Sequence, residues 1–277
     1  MTSTVDVAIN GVLCTESVHG LVANHAVPGL ERFDPATGTY ARLIMDGSVI
    51  VVQIGSERVT VTADASVINT ATERVSAWLD LTTDTSVFEQ AWIDDPILGP
   101  LVAARPGMRV VKQWDPYEAM ITTVLGQQVS LAAGRLFAGR LVAAYGIPGP
   151  DGLALFPTAE RLAAVDVEEL RATVGLTGAR SRTIHAVARA WAEGLRLDGD
   201  PETVRRRLLA LSGIGPWTVD QLSVRVLGDP DAFSAGDLVL RRALGGVSAA
   251  EAEQIAERWR PWRAYALLHL WTEAAYR

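Results

Sequence analysis

Residues 208–242 run Leu208-Leu209-Ala210-Leu211-Ser212-Gly213-Ile214-Gly215-Pro216-Trp217-Thr218-Val219-Asp220-Gln221-Leu222, pass through Ser223 to Ser234, and close on Ala235-Gly236-Asp237-Leu238-Val239-Leu240-Arg241-Arg242. The spacing up to Leu211 reads as a helix, Gly213-Ile214-Gly215 as a tight hairpin, and Pro216 as the first residue of a second helix. Such a turn gathers unpaired N–H groups and the positive end of a helix dipole, and glycine lets the backbone approach a ligand. It can hold a phosphate without any side-chain charge. An ordinary helix–glycine–helix connection shares the same short motif. Asp237, twenty positions after Trp217, precedes an apolar run and reads as a helix N-cap.

The helical reading extends outward on both sides. Asp115-Pro116-Tyr117-Glu118 has Asp at the N-cap, Pro at N1 and Glu at N3, a spacing that predicts a capping box. Gly126-Gln127-Gln128-Val129-Ser130 interrupts the apolar pattern, which resumes from Leu131 to Tyr145 and stops at Gly146. Further helices are expected near 158–164, 166–174, 179–194, 201–210, 217–227, 237–244, 249–258 and 261–276, with no strand after Asp115. Upstream, residues 40–63 alternate as β-rich runs around the turns Asp46-Gly47 and Gly55-Ser56, which predicts an antiparallel meander. A helix over 66–80 would cover one face of that sheet. The expected fold class is therefore an α+β N-terminal domain over 1–93, a Pro- and Gly-marked connector over 94–112, and an all-α domain over 113–277.

Charge is divided along the same line. The 277 residues carry 25 Lys+Arg against 32 Asp+Glu, a net −7 that argues against a protein coated in basic surface. Residues 1–95 hold −9 and residues 96–277 hold +2. At 49% hydrophobic and 21% charged the chain is globular. A single cysteine, Cys14, and four histidines offer no zinc or iron–sulfur spacing. The opening Met1-Thr2-Ser3-Thr4-Val5-Asp6 lacks a basic region and no stretch approaches 18 apolar residues, so neither a signal peptide nor a membrane span is expected. The expected location is the cytoplasm. Of the 25 basic residues 24 are arginine, and Lys112 is the one lysine.

The run Gly213-Ile214-Gly215-Pro216-Trp217-Thr218 with Asp237 behind it resembles the helix-hairpin-helix Gly/Pro/Asp superfamily of DNA base-excision glycosylases, in particular its bacterial 3-methyladenine DNA glycosylase II branch. The resemblance also rests on Ala103-Ala104-Arg105-Pro106-Gly107, Val124-Leu125-Gly126-Gln127-Gln128-Val129-Ser130, Phe156-Pro157-Thr158 with Arg161-Leu162-Ala163-Ala164, and Glu257 through Trp271. It covers essentially 100–277. What it implies is a helical domain of two subdomains with a cleft between them, in a protein that flips damaged bases out of double-stranded DNA.

Residue by residue, the resemblance makes Asp237 catalytic. Cleaving an N-glycosidic bond builds positive charge on the sugar, and a held carboxylate stabilises that cation and orients water. Trp217 and Trp271 become walls of the base pocket, where indole faces attract a cationic alkylated purine, with Gln221 and Gln127 beside them. Core packing is the alternative for Trp271, whose neighbours Leu267 and Leu268 are apolar. Gln221 stands where the best-known alkylation enzyme has an aromatic residue, and Gln128, the candidate plug for the gap left by the flipped nucleotide, where that relative has leucine. Gly213, Ile214, Gly215, Thr218 and Arg241 are expected on DNA phosphate, with a possible monovalent cation on the carbonyls of Leu209, Leu211 and Gly213. Arg205-Arg206-Arg207 and Arg242 are further phosphate candidates, or a solvated face.

Trp217 takes the position at which bifunctional members carry a nucleophilic lysine. A lyase step through a Schiff base needs an amine. Lys112 lies more than a hundred residues upstream, so a monofunctional glycosylase without organic cofactor is expected, acting as a monomer and not on membranes. Two other readings stay open: a glycosylase for deaminated or mismatched bases, and a helix-hairpin-helix binder of distorted DNA without catalysis.

Overall fold

The computed structural model describes residues 1–44 and 46–275, the side chain of Ala275 apart. Its first part is a five-stranded antiparallel sheet in the order β1-β5-β4-β3-β2, with β1 at Thr2–Val7, β2 at Glu31–Asp34, β3 at Thr39–Leu43, β4 at Val49–Ile54 and β5 at Val59–Asp64. The meander β3-β4-β5 matches the sequence reading. The outer strands β1 and β2 escaped it for a physical reason: in β1 only Val7 is buried and in β2 no residue is, so neither edge strand needs apolar alternation. Helix α1, Thr15–His25, separates β1 from β2, and α2, Ile68–Trp78, packs on β5 and β1 through Ala71 and Val75.

The segment read as a connector is built into the structure. After α3, Ser86–Trp92, Asp95 accepts from the Ile97 and Leu98 N–H groups at 2.8 and 2.9 Å and opens α4, Leu98–Ala104. Beyond it the buried Arg109 guanidinium donates to the carbonyls of Asn10, Val12, Asp80 and Thr83 at 2.5–3.0 Å. Residues 110–114 then run as a strap, the Lys112 N–H on the Trp78 carbonyl and the Gln113 N–H on that of Arg225, each at 2.7 Å. One hydrophobic core extends from the sheet through Val110, Val111 and Trp114 into Val224, Phe233, Trp259 and Trp271.

A second core is helical. Asp115 caps α5, Pro116–Gly126, by accepting from the N–H groups of Tyr117 and Glu118. The expected capping box is not closed, because the Glu118 carboxylate turns to Arg42 of β3 in a buried two-pronged pair at 2.8 and 3.2 Å. This joins the sheet to the helices. Helix α6, Leu131–Tyr145, is followed by a correction to the sequence reading: Ile147–Pro148 (β6) and Ala154–Leu155 (β7) pair as a two-stranded ribbon, too short to show a period of two. Helices α7 (Ala159–Ala164), α8 (Val167–Val174), α9 (Gly178–Ala192) and α10 (Pro201–Leu209) fall close to expectation.

The hairpin joins α10 to α11, Pro216–Leu222, and the chain continues as a π-helical turn, Ser223–Leu227. Its loop to α12, Leu238–Ala243, is anchored by Arg263. That guanidinium grips the Asp231 carboxylate at 2.9 and 3.0 Å, the Asp231 carbonyl at 2.9 and 3.1 Å, and Glu253 of α13, Ala249–Ala256, at 2.6 Å. Arg263 also begins α14, Arg263–Ala275, so loop and last helix are fixed to each other.

His269 on α14 is fully buried, and neither ring nitrogen has a hydrogen-bond partner among the described residues. Burial, assisted by Arg105, pushes its pKa from 6.5 down to about 3. Between those values the unfolded chain binds the proton and the folded one does not, so stability present at neutral pH is lost as pH falls. Acidification from pH 7 to 5 is expected to remove about 2 kcal/mol through this ring. Urea denaturation at both pH values should show that His269→Leu removes this part of the pH dependence.

Candidate active site

A cleft of about 500 Å³ opens between the end of α1, the strap 111–114, the facing ends of α5 and α6, and α11; Asp237, Val239 and Trp271 complete its wall. Asp237 is the N-cap of α12 and only 8% exposed. Its Oδ1 accepts from the Leu240 N–H at 2.9 Å and from the Trp271 indole N–H at 3.0 Å, and its Oδ2 from the Trp217 indole N–H at 2.9 Å. All three partners are donors, so the carboxylate serves purely as an acceptor. A carboxylate has about four lone-pair sites, and the unfilled one is on Oδ2.

The arrangement unites three residues that the sequence singled out. Trp217 comes from the first turn of α11 and Trp271 from α14, where it belongs to the first hydrophobic core while also lining the cleft. Trp271 is thus at once a core residue and part of the cleft wall. Gln221, one turn after Trp217, lines the cleft as expected. The indole–carboxylate bonds were not foreseen, since nothing local in sequence marks a hydrogen bond across 20 or 34 positions.

Other expectations need correction. Gln127 does not line the cleft: its amide donates to the Gly213 carbonyl at 3.1 Å and the Thr218 hydroxyl at 2.9 Å, bracing the hairpin from behind. Thr218 is buried, and its hydroxyl accepts that bond. Ile214 buries its side chain in the second core and donates its N–H to the Leu211 carbonyl at 3.1 Å, which closes the turn. Arg241 directs Nε to the Val247 carbonyl at 2.7 Å, and Arg205 pairs with Asp220 at 3.0 Å; Arg207 and Arg242 are exposed. Gly213, by contrast, is required by the fold. At φ +85°, a Cβ there would lie 1.9 Å from the Thr183 hydroxyl. Gln128 is exposed at the loop tip in the left-handed region, φ 53°.

The largest revision concerns Lys112. Its distance along the chain suggested that no amine reaches the site, yet it lines the same cleft as Asp237 and the tryptophans, with Nζ 3.5 Å from Asp80. Residues not anticipated also line the cleft, among them His25, Gln113, Glu118 and Arg225. The His25 pKa is lowered to about 3 by burial and by the neighbouring Arg225 and Arg135, so the ring is neutral; its Nδ1–H donates to the Leu21 carbonyl at 2.8 Å.

A helix–hairpin–helix turn set beside a cleft in which the Asp237 carboxylate is gripped by two indoles defines a helix-hairpin-helix protein of the base-excision type. Comparison with known proteins makes this specific. A family model described as HhH-GPD superfamily base excision DNA repair protein matches residues 121–263, and one described as the AlkA N-terminal domain matches residues 13–115. The chain belongs to the HhH-GPD superfamily. It is 40% identical over 272 residues to a probable bifunctional transcriptional activator/DNA repair enzyme AlkA of Mycobacterium tuberculosis, matching 93% of this chain but 54% of that protein, so it spans about half the relative's length. It is 36% identical over 179 residues to DNA-3-methyladenine glycosylase 2 of Escherichia coli, covering 63% of each. In fold it is similar to a 3-methyladenine DNA-glycosylase from Archaeoglobus fulgidus, with a TM-score of 0.85, 23% identity and 98% coverage of both chains.

Removing an indole N–H while keeping the ring isolates the interaction that holds Asp237. Trp271→Phe is expected to cost about 1.5–3 kcal/mol of stability, the range for hydrogen bonds to charged groups. Chemical denaturation measures it, and Trp217→Phe, at a half-buried position, should cost less.

Proposed function

We propose that this protein is a monofunctional DNA glycosylase that releases alkylated bases of the 3-methyladenine type from double-stranded DNA. The observation that carries the reading is the Asp237 carboxylate, immobilised by three N–H donors at the wall of a cleft large enough for a base. The kinship with a relative named DNA-3-methyladenine glycosylase 2 supports the substrate class.

A flipped nucleotide enters the cleft with its base beside Trp217 and Trp271, whose N–H edges are engaged on Asp237. As the N-glycosidic bond breaks, positive charge grows on the sugar, and the open acceptor site on Asp237 Oδ2 faces that charge or draws a proton from the incoming water. Because the carboxylate is already oriented, no reorganisation is needed when the charge develops. The exposed Gln128 fills the space that the nucleotide leaves, its amide suited to hydrogen bonds with the orphaned base.

Gly213, Gly215 and the start of α11 hold the DNA phosphate through backbone N–H groups, the Ile214 N–H being engaged on the Leu211 carbonyl. The carbonyls of Leu209, Leu211 and Gly213 fit a monovalent cation: they are hard oxygen donors, and those of Leu211 and Gly213 accept one hydrogen bond each, which leaves each a lone pair. A cation there would supply positive charge beside the phosphate.

Support for a glycosylase without a lyase step does not rest on the absence of an amine. Trp217 fills the position of the family's nucleophilic lysine, and Lys112 is tethered to Asp80, which does not line the cleft. Incubated with a duplex holding an abasic site and borohydride, the protein should form no covalent adduct, and strands should break only after alkali. An adduct lost on Lys112→Met would overturn the monofunctional assignment.

Asp237→Asn keeps the shape but puts an amide among N–H donors and removes the charge. Single-turnover release of 7-methylguanine from duplex DNA should fall roughly 10²–10³-fold, the scale for loss of one preorganised electrostatic contact. Release at the wild-type rate would overturn the mechanism.

A further inference from the structure

Gln128 stands exposed at the tip of the loop between α5 and α6 with φ 53°, a left-handed backbone that glycine enters freely and glutamine does not. Such strain persists where the surroundings impose it. The preceding residue is fixed from two sides. Gln127 directs both N–H bonds of its carboxamide to the hairpin, on the Gly213 carbonyl at 3.1 Å and the Thr218 hydroxyl at 2.9 Å, and its own carbonyl accepts from the Arg180 guanidinium of α9. Beyond the tip, Ser130 caps α6 by accepting from the Ala133 N–H at 3.2 Å.

Arg180 is held in its turn. Its guanidinium carbon lies 5.6 Å from the centroid of the Phe137 ring on α6, and its buried Nε has no hydrogen-bond partner among the described residues. An orphaned buried N–H is a cost that native folds rarely carry, and here it accompanies the grip on the loop. One turn further along α9, Thr183 packs against the hairpin so closely that a Cβ on Gly213 would lie 1.9 Å from its hydroxyl. One helix therefore backs both the strained tip and the hairpin, and the Gln127 side chain spans directly from one to the other.

We propose that Gln127 and Arg180 are positioning residues that fix the Gln128 tip to the phosphate-holding hairpin, so that seating the hairpin on DNA drives the tip into the duplex and opens the lesion's base pair. This rests on the glycosylase reading above. The spacing between phosphate and tip is then set inside the protein before DNA arrives, and a loop free to relax out of the left-handed region would lose it. Misplacement by about 1 Å through a residue remote from the chemistry can slow a reaction up to about 10²-fold. Opening is needed when the lesion is paired and hardly at all when it faces no partner.

The test compares single-turnover release, at saturating protein, of 7-methylguanine paired with cytosine and of 7-methylguanine in a one-nucleotide bulge, by wild type, Gln127→Met, Gln128→Ala and the double variant. Gln127→Met keeps the length of the side chain and removes both donors. The ratio of the paired to the bulged rate should fall about tenfold in each single variant and no further in the double one, because Gln127 acts through Gln128. A brace that only stabilised the hairpin would slow both substrates alike. An unchanged ratio in Gln127→Met, or a further tenfold fall in the double variant, overturns the inference while the glycosylase reading stands. Release from neither substrate by the wild type overturns that reading itself. Should Gln127→Met fail to fold, Arg180→Met, which frees the same loop from α9, is read by the same ratio.

Discussion

A carboxylate that is 8% exposed needs hydrogen-bond donors, and Asp237 takes its three from three separate places: the first turn of its own helix, the hairpin helix α11, and the C-terminal helix α14. The bond from Leu240 is local and forms whenever α12 forms. Those from Trp217 and Trp271 require that α11 and α14 arrive within hydrogen-bond reach of the same group. Everything that positions those two helices is therefore a condition of the site. The hairpin brace from Gln127 fixes α11, and the Arg263 fork on Asp231 ties the loop before Asp237 to the helix that carries Trp271.

The N-terminal part supplies the opposite wall, and it is held by buried charge more than by apolar contact at two points. Arg109 satisfies four carbonyls around the root of the strap, and Arg42 joins β3 to α5 through Glu118. Removing either cation would leave buried acceptors without donors, the costly direction of such a change. Such interior use of arginine also changes the meaning of the net charge. The +2 of residues 96–277 counts Arg180 on the Gln127 carbonyl, Arg205 on Asp220, Arg241 on the Val247 carbonyl and Arg263 on Asp231. Much of this positive charge is structural, so DNA affinity would lean on backbone amides and short-range contacts.

How much could be read in advance follows the range of the interaction concerned. The hairpin, the Asp115 and Asp237 caps and the meander were legible because turns, caps and cross-strand alternation are written in adjacent residues. The edge strands β1 and β2 were not, since a strand that buries almost nothing leaves no apolar pattern. Glu118 has the spacing of a capping box and was drawn away by Arg42, 76 positions distant. Lys112 is the clearest case. Its place at the cleft depends on a strap pinned to Trp78 and, through Gln113, to Arg225, which no count along the chain reveals.

The two hairpin glycines show how one motif can answer two constraints. Gly213 has a positive φ of 85° and no room for a Cβ against Thr183, so the packing of α9 on the hairpin accounts for it. Gly215 has φ −106°, which any residue adopts, and a Cβ built there meets nothing within 4 Å. Nothing inside the protein demands glycine at 215. It is also the N-cap of α11 without a side chain to cap it, so the first N–H groups of that helix receive no side-chain bond from the residue best placed to give one. A serine or aspartate would have stabilised the helix by roughly a few tenths of a kcal/mol at that position. A bare backbone there gives up that gain and leaves a surface an anion can approach closely, so the fold accounts for Gly213 while the proposed phosphate contact would account for Gly215.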